Sequence, residues 1–287
     1  MNYKSILFFL GIFLLLFSIF SILNVLYSIY FDVAVGLNLY LIVFFIFLFL
    51  GALFCYIGRN FKKDITLIDQ IIFIILGFTF IPLIISIPYY FSIYNLSFLN
   101  AYFESVSGFT ATGFTIIYDI NEIDEPLILW RSSSQWVGGL FFLLVTIGTI
   151  GSKQIKIKPA YLISGGASGR NFYNNFNYNF IKISSIYFSL TVFLIFLYSF
   201  SNLRLFDSFN LAFTSISSGG FIPKNNLSNI LINNIQTFIF ACSLLLPIFN
   251  FFLIYDIITR KFSFKNYQED LHLGTLVILF SLLIYFF

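Results

Sequence analysis

Charge is the scarcest property of this 287-residue chain: Asp, Glu, Lys and Arg make up 9% of it, against 59% hydrophobic residues. A soluble globular domain carries about a quarter charged residues, so that class is excluded. Histidine occurs once, at His272, and cysteine twice, at Cys55 and Cys242, both inside apolar runs. No Cys/His spacing resembles a metal ligand set or a disulfide framework. Each Cys reads as a small buried hydrophobe, and His272 as an interfacial residue. The spans contain neither a cluster of His with carboxylates nor a nucleophile beside a base, so the chain reads as no enzyme. The glycine-rich stretch Ser164 to Arg170 lacks the strand, helix and Lys of a phosphate loop and reads as a flexible loop. No organic cofactor and no nucleic-acid partner are expected.

Apolar runs of membrane-crossing length are what the chain has in quantity. A helix needs about 20 mostly apolar residues to cross a bilayer. Such runs cover 5–29, 37–57, 70–92, 126–150, 182–201, 232–257 and 271–287. The first is too long for a signal-peptide core and lacks a cleavage site, so it counts as a membrane helix. Pro82, Pro88 and Pro247 read as tolerated kinks. With the N-terminus and Lys4 inside and the spans alternating, the inner loops collect Arg59, Lys62, Lys63, Lys153, Lys156, Lys158, Arg170, Lys182, Arg260, Lys261 and Lys265. Twelve of the fifteen basic residues then lie on one side, which the positive-inside rule makes cytoplasmic. The outer loop with Asp119, Glu122, Asp124 and Glu125 is acidic, either simply solvated or a vestibule that attracts cations.

Between the spans lie two copies of a pattern unsuited to a membrane helix. Ser107 to Phe114 reads Ser-Gly-Phe-Thr-Ala-Thr-Gly-Phe, and Thr214 to Phe221 reads Thr-Ser-Ile-Ser-Ser-Gly-Gly-Phe, 107 residues later. Aligned on Gly113 and Gly220, each has hydroxyl residues three and six places earlier and Phe directly after. Such backbone is tolerated at membrane depth only where it is buried in protein or lines a water-filled path. Each copy follows a segment too short and polar to span, 97–110 and 205–216, with Ser97 and Asp207 as plausible N-caps. A segment flanked by two spanning helices dips in and returns on the same side. Its C-terminal end then carries about half a negative charge toward the membrane centre, which suits a cation. Extended strands follow at 110–115 and 217–221. Rings of carbonyls replace the hydration shell of potassium without net charge, and Gly permits the backbone angles this requires. The fold class is therefore all-α integral membrane: two N-terminal helices (1–64), two helix–re-entrant pore loop–helix repeats (65–155 and 156–265), and a last stretch (266–287) that the resemblance given next makes the start of a third.

Three stretches resemble the Trk-type potassium uptake family (the TrkH/KtrB superfamily): Phe103 to Gly113, Leu129 to Gly139 and Ala212 to Phe221. Two helices before the first repeat are similar to the TrkH branch. The resemblance implies four repeats around one pore in a bacterial inner membrane, with the N-terminus cytoplasmic. Carried over to this sequence, it implies filter residues Thr110, Ala111, Thr112, Gly113, Ser217, Ser218, Gly219 and Gly220. Potassium would be held by carbonyls of Ala111, Thr112, Ser218 and Gly219. Glu104 and Arg131 are the candidate structural support, bonded to each other or to filter backbone; Arg131 otherwise reaches the outer interface. The implied partners are membrane lipid, a second copy in a homodimer and a cytosolic nucleotide-binding, TrkA-like regulatory subunit. Third and fourth filters and the family's gating segment are absent up to Phe287, so the expectation is a fragment supplying two of four filter strands, the other possibility being two chains that together supply four. The alternative is a non-conducting assembly or regulatory subunit that keeps the fold.

Overall fold

The computed structural model describes residues 2–31, 34–62, 66–92, 96–150, 169–248, 272–277 and 279–281. Among the described residues every regular element is helical and there is no strand. The main helices are α1 (Tyr3–Tyr30), α2 (Ala34–Gly58), α3 (Leu67–Phe91), α4 (Phe98–Phe109), α5 (Glu125–Ile150), α6 (Gly169–Phe200), α7 (Leu205–Ser217) and α8 (Asn234–Ser243). Tyr3–Tyr30, Gly36–Gly58, Ile68–Phe91 and Phe180–Phe200 are long and apolar enough to cross a membrane. The chain is thus a multi-pass membrane protein. At 1.5 Å per residue the 26 residues of α5 reach about 39 Å, but its polar run from Arg131 to Gln135 keeps it below the apolar composition of the others. That run is buried, with each of its five residues at most 1% exposed. It faces protein instead of lipid.

The core forms around α1. Phe9, Phe13 and Phe17 are fully buried, with Phe13 edge-on to Phe141 at 4.7 Å and Phe17 stacked on Phe47 at 5.2 Å. Lipid tails are as apolar as these rings, so close packing rather than water exclusion holds such helices together. Trp130 adds a directional bond, its Nε1 donating to the Ile85 carbonyl at 3.1 Å. At Gly138 of α5 the packing is tight: a Cβ would stand 1.9 Å from the Phe109 carbonyl oxygen at the end of α4.

Several expected boundaries shift. Helix α3 starts at a capping box in which Thr66 Oγ1 accepts from Asp69 N and Asp69 Oδ2 accepts from Thr66 N, and it carries Pro82 and Pro88 inside it. The apolar run 232–257 is not one helix. It stops at Ser243 and passes through turns into a 3-10 turn at Leu246–Ile248. Pro247 has no N–H for the Ser243 carbonyl four residues back, and its ring clashes there. Helix α6 begins at Gly169, well before the expected 182. Cys242 is exposed and Cys55 partly so, so neither is the buried hydrophobe expected. Residues 164–168 of the glycine-rich stretch lie outside the described residues.

Candidate functional site

The two glycine-bearing segments leave their short helices in the same way. Ala111 and Ser218 have φ of 53° and 55°, and Gly113 and Gly220 both have φ of 79°. Ala111 N donates to the Gly108 carbonyl and Thr112 N to that of Ser107, both at 3.0 Å; Ser218 N donates to Ser215 at 3.2 Å and Gly219 N to Thr214 at 2.9 Å. These are paired Schellman bonds, which satisfy carbonyls a helix end otherwise leaves orphaned. Each of the four atoms in one pair matches its counterpart 107 residues later. The left-handed residue in such a motif is usually Gly; here Ala and Ser occupy it, each at a local cost of about 1–2 kcal/mol. No ladder forms, so the strands expected at 110–115 and 217–221 are irregular extended segments. Ser217 still belongs to the last turn of α7, its Oγ bonding back to the Phe213 carbonyl at 2.8 Å.

The segments meet. A Cβ on Gly113 would stand 2.2 Å from the Gly219 carbonyl oxygen, and one on Gly220 would stand 3.8 Å from Gly113 Cα. Helices α4 and α7 therefore bring their C-termini to one place, where their dipoles favour a cation.

Helix α5 lies behind both segments and pins each. Glu104 of α4 and Arg131 of α5 form an ion pair at 2.9 Å with side chains 0% and 1% exposed. Glu104 also accepts from Ile116 N at 3.1 Å and from the Thr115 hydroxyl at 2.9 Å, just beyond the first segment. Arg131 Nη2 donates to Thr115 Oγ1 at 3.1 Å, and its guanidinium lies 4.2 Å from the centre of the Phe221 ring in the second segment. Arg131 is thus buried in the protein and does not reach the outer surface. Ser107 Oγ donates to the Phe114 carbonyl at 2.5 Å, and Thr110 Oγ1 to Val106 O at 2.8 Å.

The second segment is held by a residue the sequence did not single out. Gln135 Nε2 donates to the Gly219 carbonyl at 2.5 Å, while Oε1 accepts from Phe221 N at 3.2 Å and Thr214 Oγ1 at 2.9 Å. Of the four residues whose carbonyls were expected to hold potassium, Thr112 and Ser218 are exposed and Ala111 partly so, whereas Gly219 is buried. The Gly219 oxygen has one lone pair taken by Gln135. Ser132 Oγ, also on α5, donates to Asn210 Oδ1 of α7 at 2.6 Å.

Outside the segments, the acidic loop is tied into the protein. Asn225 Oδ1 accepts from Ile120 N and its Nδ2 donates to Asp119 Oδ1, both at 2.7 Å; that bond and one from Asn121 hold the Asp119 carboxyl below its ordinary pKa. Burial pushes that of Asp124 up. Glu125 bonds Arg204 and the Tyr27 hydroxyl. Ser97 caps α4, its side chain accepting from Asn100 N at 3.4 Å. Asp207 does not cap α7. The cap position falls to Arg204, and Asp207 sits in the first turn with Lys224 4.0 Å away. Among the described residues no group of His, Cys, Asp and Glu is arranged to hold a metal ion.

No protein-family model matches the chain. It is 28% identical over 228 residues to the cation transporter MJ1485 of Methanocaldococcus jannaschii, covering 77% of this chain and 46% of that protein. It is 25% identical over 224 residues to the Trk system potassium uptake protein TrkH of Vibrio parahaemolyticus, with the same two shares. To TrkG of Escherichia coli it is 26% identical over 243 residues, 83% of this chain and 50% of that one. The crystal structure of the potassium transporter TrkH from Vibrio parahaemolyticus superposes with a TM-score of 0.74 at 24% identity, covering 91% of this chain and 53% of that chain. The chain spans about half the length of the curated relatives it matches. In sequence and in fold it is a relative of the Trk-type (TrkH/KtrB) potassium uptake transporters.

Proposed function

We propose that this chain takes part in potassium uptake across a bacterial inner membrane, supplying two of four filter segments around the ion. The observation that carries the reading is the recurrence, 107 residues apart, of one backbone course ending two convergent helices, with the segments in contact at Gly113 and Gly219. Each course belongs to one helix–pore loop–helix repeat: 65–155, then 156–265, after the two helices of 1–64 and before the beginning of another repeat at 266–287. The ion-facing set is drawn from Thr110, Ala111, Thr112, Gly113, Ser217, Ser218, Gly219 and Gly220, with Glu104 and Arg131 as support. Two segments leave half of an ion's surroundings open, and dehydration without full replacement is unfavourable. Further segments complete the ring, and potassium is the only cofactor the reading requires. Membrane lipid, a homodimeric partner and a TrkA-like nucleotide-binding ring meeting the basic inner loops complete the assembly.

The chain alone is expected to insert in the membrane yet not restore growth of a potassium-uptake-deficient bacterium on low potassium. Together with the other half of a Trk-type relative it is expected to restore that growth. Insertion of both without any potassium flux in vesicles would favour the non-conducting subunit instead. Orientation has its own test: Cys introduced at Asn121 is labelled by an impermeant thiol reagent from outside, and Cys at Asn171 only from inside. The reverse pattern removes both re-entrant segments from the reading.

A further inference from the structure

Gln135 lies on α5 one helical turn beyond Arg131, fully buried. Its carboxamide bonds on both sides of Gly220: it donates to the Gly219 carbonyl and accepts from Phe221 N. A carbonyl and the N–H two residues on are the pair that a neighbouring strand satisfies in an antiparallel ladder. Here no strand does so, and one side-chain amide takes its place. A second observation is independent of those bonds. A Cβ on Gly219 would fall 2.3 Å from Gln135 Cδ, so the amide occupies the space where a side chain would begin. The first segment has a different holder, Ser107 on Phe114 O and Glu104 on Ile116 N. At the position matching Ser107, the Thr214 hydroxyl goes to Gln135 Oε1 and so reaches its segment through that amide.

We propose that Gln135 is the positioning residue that sets the Gly219–Gly220–Phe221 backbone for discrimination between potassium and sodium, which rests on the filter reading above. Discrimination depends on the number of carbonyls offered to the ion and on how firmly the filter holds them. Gln supplies one donor and one acceptor to this backbone. Glu of the same shape supplies only acceptors when ionised, keeping the bond from Phe221 N but setting two oxygens against each other at Gly219. Met supplies neither.

The test pairs a geometric readout with a functional one. Hydrogen–deuterium exchange of the chain in lipid nanodiscs, read over 218–222 and 110–116, is expected to rise at least tenfold over 218–222 for Gln135→Met, with 110–116 unchanged. Gln135→Glu is expected to keep Phe221 protected. In the chain assembled with the polypeptide supplying the remaining segments, both variants lower the potassium-to-sodium flux ratio at least fivefold. Acidification restores the ratio in Gln135→Glu alone, because a buried carboxyl readily takes up a proton and then again offers a donor and an acceptor. Gly219→Ala, which displaces the amide, is expected to behave as Gln135→Met. If Gln135→Met fails to insert, Gln135→Glu, similar in size, carries the test. A wild-type assembly with no preference for potassium overturns the filter reading and this proposal with it. A selective wild type whose two Gln135 variants are equally selective overturns this proposal alone, as does unchanged exchange in Gln135→Met.

Discussion

Arg131→Met is expected to destabilise the protein by about 3–5 kcal/mol, the cost of leaving one member of a buried ion pair without its partner. Glu104 would keep its bonds from Ile116 N and Thr115, but a carboxylate at 0% exposure has no solvent to turn to. Glu104→Gln is expected to cost a similar amount for the mirror reason: the guanidinium of Arg131, whose Nη1 already lacks a hydrogen-bond partner, would keep an amide oxygen, Thr115 and the face of Phe221 but no counter-charge. Domains are stable by about 5–15 kcal/mol in total, so each single variant should unfold or aggregate well below the wild-type temperature. The double variant Glu104→Gln/Arg131→Met removes both charges and should recover a large part of the loss, since replacing a whole buried pair is far cheaper than breaking it. Thermal unfolding in detergent, followed by the fluorescence of Trp130 and Trp136, gives the three values. Single variants within a few degrees of wild type, or a double variant no better than the worse single, would refute the pinning role given to this pair.

The sequence made the helices legible because each apolar run has to be about as long as the membrane is thick, and α1, α2 and α3 fall within three residues of their expected ends. It also made the repeated segments legible, since hydroxyl and glycine residues among Phe, Leu and Ile have few other uses at that depth. Ser97 was readable as a cap because capping is local. Asp207 was misplaced by three residues for the same local reason: an acid fits the first turn as well as the cap position, and sequence does not separate the two. The break before Pro247 was open in principle, but α3 carries Pro82 and Pro88 unbroken, so proline alone does not decide. Gln135 could not be found this way. Its partners stand 79 to 86 residues away, and along α5 it is one more polar residue after three serines. Nor does sequence give the direction of a carbonyl, and so the engagement of Gly219 with Gln135 became visible only in three dimensions.

Gly113 and Gly220 occupy matching places in the two segments, yet substituting them is expected to have unequal consequences. Both sit at φ of 79°, so Ala at either place pays the left-handed penalty of about 1–2 kcal/mol. At Gly220 little else is added, since the new Cβ meets Gly113 Cα at 3.8 Å, an ordinary contact. Gly220→Ala should therefore insert, assemble and lose about 2–8 °C of thermal stability, at about 2–4 °C per kcal/mol for a chain of this size. At Gly113 the new Cβ lands 2.2 Å from the Gly219 carbonyl oxygen, and that oxygen is backbone held from behind by Gln135. No flexible side-chain end can swing away, so the two segments must part. Gly113→Ala should abolish potassium flux in the completed assembly and raise hydrogen exchange in both segments, while Gly220→Ala retains measurable flux. Combining Gly113→Ala with Gln135→Met tests the cause: freeing the Gly219 carbonyl from its holder lets it retreat, so adding Gln135→Met should cost less on the Gly113→Ala background than on the wild type. Equal losses from the two glycine variants, or full additivity in that double variant, would mean that contact between the segments is not what makes Gly113 necessary.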